Sequence, residues 1–270
     1  HHPYFRPKDA ATLILVDRTS ATPKVLVGKR HDKVVFMPGK FVFPGGRVDK
    51  SDNRVPVAAP IPKALEENLL KGSPKITPSR ARSLAIAAIR EACEETGLCL
   101  GRKCDVAAPK LEGAWQAFTE AGLLPDPSGL FLIARAITPP GRVRRFDTRF
   151  FTADASAIAH RVEGVVHADA ELVDLVWVEI GSEPLAKAHA MTKNVLGELD
   201  RRLATGPLRH DEARCLQHRE VLHHPEPSEL RMPSTEPTQG LPVRFEERVE
   251  QRPPSGVGSV LGIRSSLGSG

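Results

Sequence analysis

Apolar and polar positions along residues 9–205 follow two periods, and the switches between them outline the elements. ATLILVD (11–17) and KVLVGKR (24–30) are short, β-branched apolar runs on either side of a polar turn, which predicts a hairpin. KFVFPGG (40–46) predicts a third short strand, broken by Pro44 and two glycines. GLFLIARAIT (129–138) and RRFDTRFFTA (144–153) predict two more, joined by a turn at Pro139, Pro140 and Gly141, and ELVDLVWVEI (171–180) another. The period changes to that of a helix between Thr77 and Gly97, with Thr77 suited to the N-cap, Pro78 to the first position and Gly97 to the stop. LEGAWQAFTEAG (111–122) has helical character, and 63–71 is a short helix candidate. A closing helix is expected with Ser182 as N-cap, Pro184 in its first turn and an apolar series through Leu185, Ala188, Val195, Leu196 and Leu199. Strands outnumber helices and several join by short turns, so the class is α/β of the α+β kind with a mixed sheet.

Composition changes near residue 206. From there to 270 the chain is dense in Pro, Gly, Ser and charge, which predicts a disordered tail after a domain spanning 9–205. Within 209–224, four histidines surround Cys215 at spacings that match no standard metal pattern, and a solvated, partly helical segment is expected. The chain's 270 residues, 40% hydrophobic and 26% charged, can supply a core. A formal charge of +5 hints at anionic ligands, but a nucleic-acid surface is not expected. Four cysteines with no CxxC pair indicate neither a zinc site nor a disulfide framework, and reduced, partly buried thiols are expected. No apolar run approaches the roughly 20 residues that span a bilayer, and no signal segment is evident. A cytoplasmic protein without membrane partners is the expectation.

The chemistry concentrates in AIREACEETGLCL (88–100). At 100° per residue, with Glu91 at zero, Glu95 falls near 40° and Glu94 near 300°, so the three acids share one face. Ala85, Ile89, Ala92 and Cys93 fall on the opposite side and would pack on the sheet. Like charges at these spacings destabilise a helix, and here they lie at the negative end of its dipole. Arg90, four residues before Glu94, offsets one of them. Clustered oxygens kept against both penalties suit a hard cation such as Mg²⁺; a solvated acidic face is the plainer alternative.

Residues 90–98 resemble the second half of the Nudix box, REUxEExGU with U apolar: Arg90, Glu91, Ala92, Glu94, Glu95, Gly97 and Leu98 fit every fixed position. FPGGRVDKSD (43–52) resembles the first half, with Asp52 where the box has Glu. The box leaves seven residues before its arginine, whereas positions 53–89 hold 37 here, an insertion of 30 at about 53–82. Lengthening a surface loop adds little closure entropy, so the two halves can still meet. The resemblance implies a Nudix fold, a mixed sheet sandwiched between helices. The split box, together with FMPGKFVFPGG (36–46) and ITPPGRVRRFDTRFF (137–151), is similar to one branch of that family. The branch includes the peroxisomal coenzyme A diphosphatase of animals and related bacterial hydrolases. The final Gly-Ser-Gly is no peroxisomal signal, so that address does not carry over.

What the resemblance implies is a metal-dependent pyrophosphohydrolase acting on a small-molecule, nucleoside diphosphate-linked compound, with coenzyme A or acyl-coenzyme A as candidates. Mg²⁺ or Mn²⁺ would be held by Glu91, Glu94 and Glu95 and by the backbone carbonyl near Gly46. Arg90 would orient the glutamates. Substrate-contact candidates are Arg30 at a strand end, Glu171 before a core strand, and Arg149, which either holds a phosphate or pairs with Asp147. Glu163 or Glu171 could supply a base or be a surface carboxylate. The alternative function is a Nudix-fold metabolite-binding module without catalysis; such modules often lose box glutamates, and this chain keeps all three.

Overall fold

Alternation along the first strand sets the two faces of the molecule. In β1 (Lys8–Asp17), Ala11, Leu13 and Leu15 enter one buried cluster while Ile14 and Val16 enter another on the opposite side. The computed structural model describes residues 6–32, 39–71, 73, 75–104, 110–142, 144–186, 188–210 and 214–216. All of them lie in the first of two units, His1–Glu226; the second, Pro227–Gly270, lies outside the described residues, and with it most of the expected tail.

The main sheet also contains β2 (Lys24–Arg30), β3 (Phe41–Val42), β4 (Gly45–Arg47), β7 (Phe131–Ile137), β8 (Phe146–Asp154), β10 (Leu172–Glu179) and β11 (Arg214–Leu216). Its order is β10-β2-β1-β8-β7-β11, with β3 on β2 and β4 on β1. β1 runs parallel to β8 and β11 parallel to β7; the remaining pairs are antiparallel. A second sheet orders β5 (Leu98–Lys103) between β6 (Leu123–Pro125) and β9 (Ile158–Arg161). The helices are α1 (Lys63–Lys71), α2 (Pro78–Thr96), α3 (Gln116–Glu120), α4 (Glu183–Ala186) and α5 (Ala190–Ala204). α2 packs its buried Leu84, Ala85, Ile89 and Ala92 with Leu13, Leu15 and Phe151 on one face of the main sheet. α5 packs Val195, Leu196 and Leu199 with Ile14, Val27 and Ile133 on the other. This is the expected mixed sheet with helices on both sides.

One feature of β1 positions the site. It pairs with β2 only at Val16 and Asp17, and its other half, Ala10–Thr12, pairs instead with β4. The two strands splay apart, and the glycine-bearing β4 fills the opening beneath α2.

Several expectations change. The closing helix is two, α4 and α5, and the cap of α5 is His189, whose Nδ1 accepts from the Met191 N–H at 3.1 Å. The Ser182 hydroxyl is instead buried without a partner. Order continues past residue 206, and Arg214–Leu216, inside the histidine-rich stretch expected to be partly helical, adds a strand to β7. Cys93 and Cys99 form a disulfide rather than the expected free thiols; Cys104 is free and half-buried. Their spacing is silent in the sequence because only the tight turn between α2 and β5 brings them together. Among the described residues no helix is long and apolar enough to cross a membrane.

Candidate active site

The ends of α2 are set by the residues that suggested them. Thr77 Oγ1 accepts from the Arg80 N–H at 3.2 Å, Pro78 opens the first turn, and Gly97 closes the helix at φ 75° with its N–H on the Cys93 carbonyl at 2.9 Å. A side chain at Gly97 would strike the Val162 carbonyl as well as strain the backbone. The helix therefore stops where Glu94 and Glu95 reach the mouth of a cleft.

At the buried side of this acid face stands Arg90, 6% exposed. Its Nε and Nη2 donate to the two oxygens of Asp52 at 2.8 and 3.3 Å, a bidentate pair across 38 positions of chain. Nη2 also donates to the Arg47 carbonyl at 2.8 Å. Nη1 lies 2.9 Å from Glu91 Oε1 and 2.5 Å from Glu94 Oε2. Burial opposes the charge on Arg90, but Asp52, Glu91 and Glu94 outweigh it and raise its pKa. Asp52, fully buried, spends its second oxygen on the Asp49 N–H at 2.7 Å as well. Arg82, two turns earlier on α2, donates to the carbonyls of Asp52, Asn53 and Val55, which ties the start of the inserted segment to the helix.

The glycines supply close approach. A Cβ built on Gly46 would lie 2.5 Å from Glu91 Oε1, so the Glu91 carboxylate rests directly against the β4 backbone. The Gly45 N–H donates to Glu95 Oε2 at 3.0 Å. Burial pushes the Glu91 carboxyl up. Burial, then the nearby Glu171 charge, pushes Glu95 up to about 8.

Glu91, Glu94 and Glu95 form one wall of a cleft of about 300 Å³; Val165, Ala170, Glu171 and Leu172 form the other. Glu171 also holds Arg30, at 2.9 Å from its Nη2, while the Nε of Arg30 is buried with no hydrogen-bond partner. Among the described residues no three His, Cys, Asp or Glu side chains already converge to hold a metal ion. The reason is visible in the pairing: Arg90 stands between Glu91 and Glu94, and Glu95 is turned to Gly45. In donor chemistry the set nonetheless suits a hard divalent cation. It offers carboxylate oxygens beside a half-buried stretch of glycine backbone, and burial and the Glu171 charge push one of its carboxyls up to about 8.

The other candidates fall elsewhere. Arg149 is 2% exposed, 2.5 Å from Asp147 and 3.5 Å from Asp9, so of its two readings the ion pair is the one present, and it does not line the cleft. Glu163 is exposed and pairs with Arg161 at 3.4 Å. Neither tryptophan lines the cleft: Trp115 is core, with its indole N–H unpartnered, and Trp177 packs half-buried against the core. Sequence reasoning passed over Val165, Ala170 and Leu172. Val165 and Ala170 lie in a small-residue stretch just before β10, and Leu172 opens that strand.

No protein-family model matches the chain, and no curated protein matches it. Among solved structures, a Nudix hydrolase from Alicyclobacillus acidocaldarius aligns with 26% identity and a TM-score of 0.50, covering 76% of this chain and 98% of that one. A Nudix hydrolase from M. smegmatis aligns at 18% identity and a TM-score of 0.39, over 76% and 91%. One from Listeria monocytogenes aligns at 15% and 0.42, over 74% and 96%. The likeness to the first, over nearly its whole length, gives this chain the Nudix fold and places it with the hydrolases of that fold.

Proposed function

We propose that this Nudix hydrolase is a metal-dependent pyrophosphohydrolase, cleaving the diphosphate linkage of a nucleoside diphosphate-linked small molecule, with coenzyme A or acyl-coenzyme A as the substrate class. The observation that carries the reading is the excess of acid over base: four carboxylates, Glu91, Glu94, Glu95 and Glu171, line one cleft with Arg90 and Arg30 as their ion-pair partners, and the Glu95 carboxyl is pushed up to about 8. A wall this negative repels a diphosphate unless cations intervene. Glu91, Glu94 and Glu95 with the Gly46 carbonyl would hold Mg²⁺ or Mn²⁺, which would supply positive charge to the diphosphate and make a bound water more acidic. Arg90 is a positioning residue. Anchored on Asp52 and the Arg47 carbonyl, it presents Glu91 and Glu94 to the cleft and keeps the helix tied to the glycine strand. Arg30 is the substrate contact: its unpartnered buried Nε is a donor waiting for an acceptor, and a phosphate oxygen suits it. Glu171, which lines the cleft, pairs with that guanidinium and would release it when a phosphate takes its place. Arg149, locked in the core, is withdrawn from the substrate set.

The coenzyme A class rests on the branch resemblance of the loops around 36–46 and 137–151; within these, residues 36–38 and Val143 lie outside the described residues. The test is product mass spectrometry on coenzyme A, acyl-coenzyme A, ADP-ribose, NADH, diadenosine polyphosphates and capped RNA, with Mg²⁺ and with Mn²⁺. Cleavage of coenzyme A into two phosphate-bearing halves is expected. Turnover of none of these by folded, metal-supplied protein overturns the reading in favour of a metabolite-binding module.

A further inference from the structure

The Cys93–Cys99 bond sits where the two walls of the cleft are joined. Cys93 is on α2 beside Glu94, on the helix side away from the acids and 3% exposed; Cys99 is on β5 and fully buried. Their Cα atoms are 4.5 Å apart, within the range that a disulfide bridges. Between them lies the Gly97 turn, whose carbonyl accepts from the Val162 N–H at 2.8 Å. Val162 opens the segment that runs through Val165, Ala170 and Glu171, the far wall. Cys99 itself pairs with His160 of β9, at the point where the β5–β9 register shifts. One covalent link therefore ties the end of the acid helix to the strand pair from which the opposite wall departs.

We propose that Cys93–Cys99 is a reversible thiol–disulfide site that sets the stiffness of this cleft. Oxidised, the bond closes the turn and holds Glu94 and Glu95 in a fixed relation to the 162–171 segment. Reduced, the last turn of α2 and the β5–β9 junction lose that link, keep their hydrogen bonds and core packing, and open more often. Reduction by a dithiol passes two electrons and two protons to the bond, giving two thiols and the cyclic disulfide of the reductant. Oxidation is the reverse exchange with a small-molecule disulfide. Because both sulfurs are buried, an incoming thiolate reaches them only when the turn opens. The proposal's effect on catalysis rests on the metal-dependent reading above, whereas its effect on the cleft segments does not.

The experiment uses the full chain, once treated with oxidised glutathione and once with dithiothreitol. Alkylation and peptide mapping read the bond, and amide hydrogen exchange reads 93–103 and 158–171. In the oxidised protein Cys93 and Cys99 are expected to be linked, and exchange at both segments is expected to be slower by about tenfold or more than in the reduced protein. The Mg²⁺ concentration for half-maximal turnover should rise on reduction. A Cys104→Ser/Cys215→Ser variant should keep every difference, and a Cys93→Ala/Cys99→Ala variant should exchange like the reduced protein in both buffers. Alkylation of both cysteines after oxidised treatment overturns the proposal, and so does equal exchange in the two states. If no substrate is turned over while the exchange difference stands, the site survives and the enzymatic reading fails.

Discussion

Two charged clusters lie on the α2 side of the main sheet, and they are built in opposite ways. Near the start of the helix, Asp9 and Asp147 face Arg80, Arg135 and Arg149, and every carboxylate has a guanidinium within 2.8 Å. Burial works against the Asp147 charge, yet Arg135 and Arg149 hold its carboxyl below the usual range. Near the end of the helix, Asp52, Glu91, Glu94, Glu95 and Glu171 share, among the described residues, only Arg90 and Arg30 as ion-pair partners. There the Glu95 carboxyl is pushed the other way. Matched charge is architecture: it fixes strand ends to the helix and closes on itself. Mismatched charge is costly on its own, and a cation with its anionic ligand would remove that cost.

The comparison breaks most visibly if the matched cluster is opened. Asp147→Ala leaves Arg149 charged, 2% exposed and without its closest partner, and should lower unfolding stability by about 3–5 kcal/mol in urea titrations. Turnover per folded molecule should be unchanged. A loss under about 1 kcal/mol would show that the cluster is solvated after all. The converse is Glu94→Gln, which removes one acid from the mismatched wall. Turnover should fall by at least about a hundredfold, the upper end of what loss of an outer-shell partner costs a metal site. Stability should fall by no more than about 1 kcal/mol, because Glu94 is exposed and its partner Arg90 keeps Asp52 and Glu91. Full activity in this variant would remove the acid wall from the mechanism.

Proton linkage separates the clusters by sign. Asp147 is depressed in the folded state, so it adds stability above its unfolded pKa, and that stability is lost as pH falls through the folded value. Glu95 is raised from 4.5 to about 8, so the metal-free protein binds the extra proton and loses stability as pH rises between those values. Urea titrations with EDTA should therefore show stability falling from about pH 5 to about pH 8, with Mg²⁺ restoring most of it at the upper end. Addition of Mg²⁺ near pH 7 in weak buffer should release protons. A flat profile with EDTA, or no proton release, would mean that Glu95 is not held neutral by its neighbours.

How much of this was legible in the chain differs by the range of the interaction. Helix α2 runs between the cap and stop that Thr77, Pro78 and Gly97 announce, and the placing of its three acids on one face follows from local geometry. Strand β2 and helix α1 lie where their runs predict. The bond from Arg90 to Asp52 spans 38 positions and an insertion, and no local pattern encodes it. Arg149 could be narrowed to two readings by alternation alone, but choosing between them needed the burial of its guanidinium beside Asp147, with Asp9 brought alongside by the parallel pairing of β1 with β8. Strands β6 and β11 have three residues each, too short to show a period, and β5 begins two residues after a helix whose apolar run it continues. These elements exist because the sheets accept them, not because their own residues demand them.

The weakest link in the matched cluster sharpens the contrast last. Arg80 reaches Asp9 at 2.6 Å from the first turn of α2, but its side chain is 40% exposed, and Asp9 keeps Arg149 at 3.5 Å without it. Its removal leaves no buried charge alone, so Arg80→Ala should cost no more than about 1 kcal/mol, with the loss shrinking as salt is raised. Urea titrations at low and high salt measure this directly. A loss several times larger, insensitive to salt, would mean that the cluster acts as one buried unit out to its rim. The boundary between architecture and solvent would then lie a full helical turn further from the core than exposure alone places it.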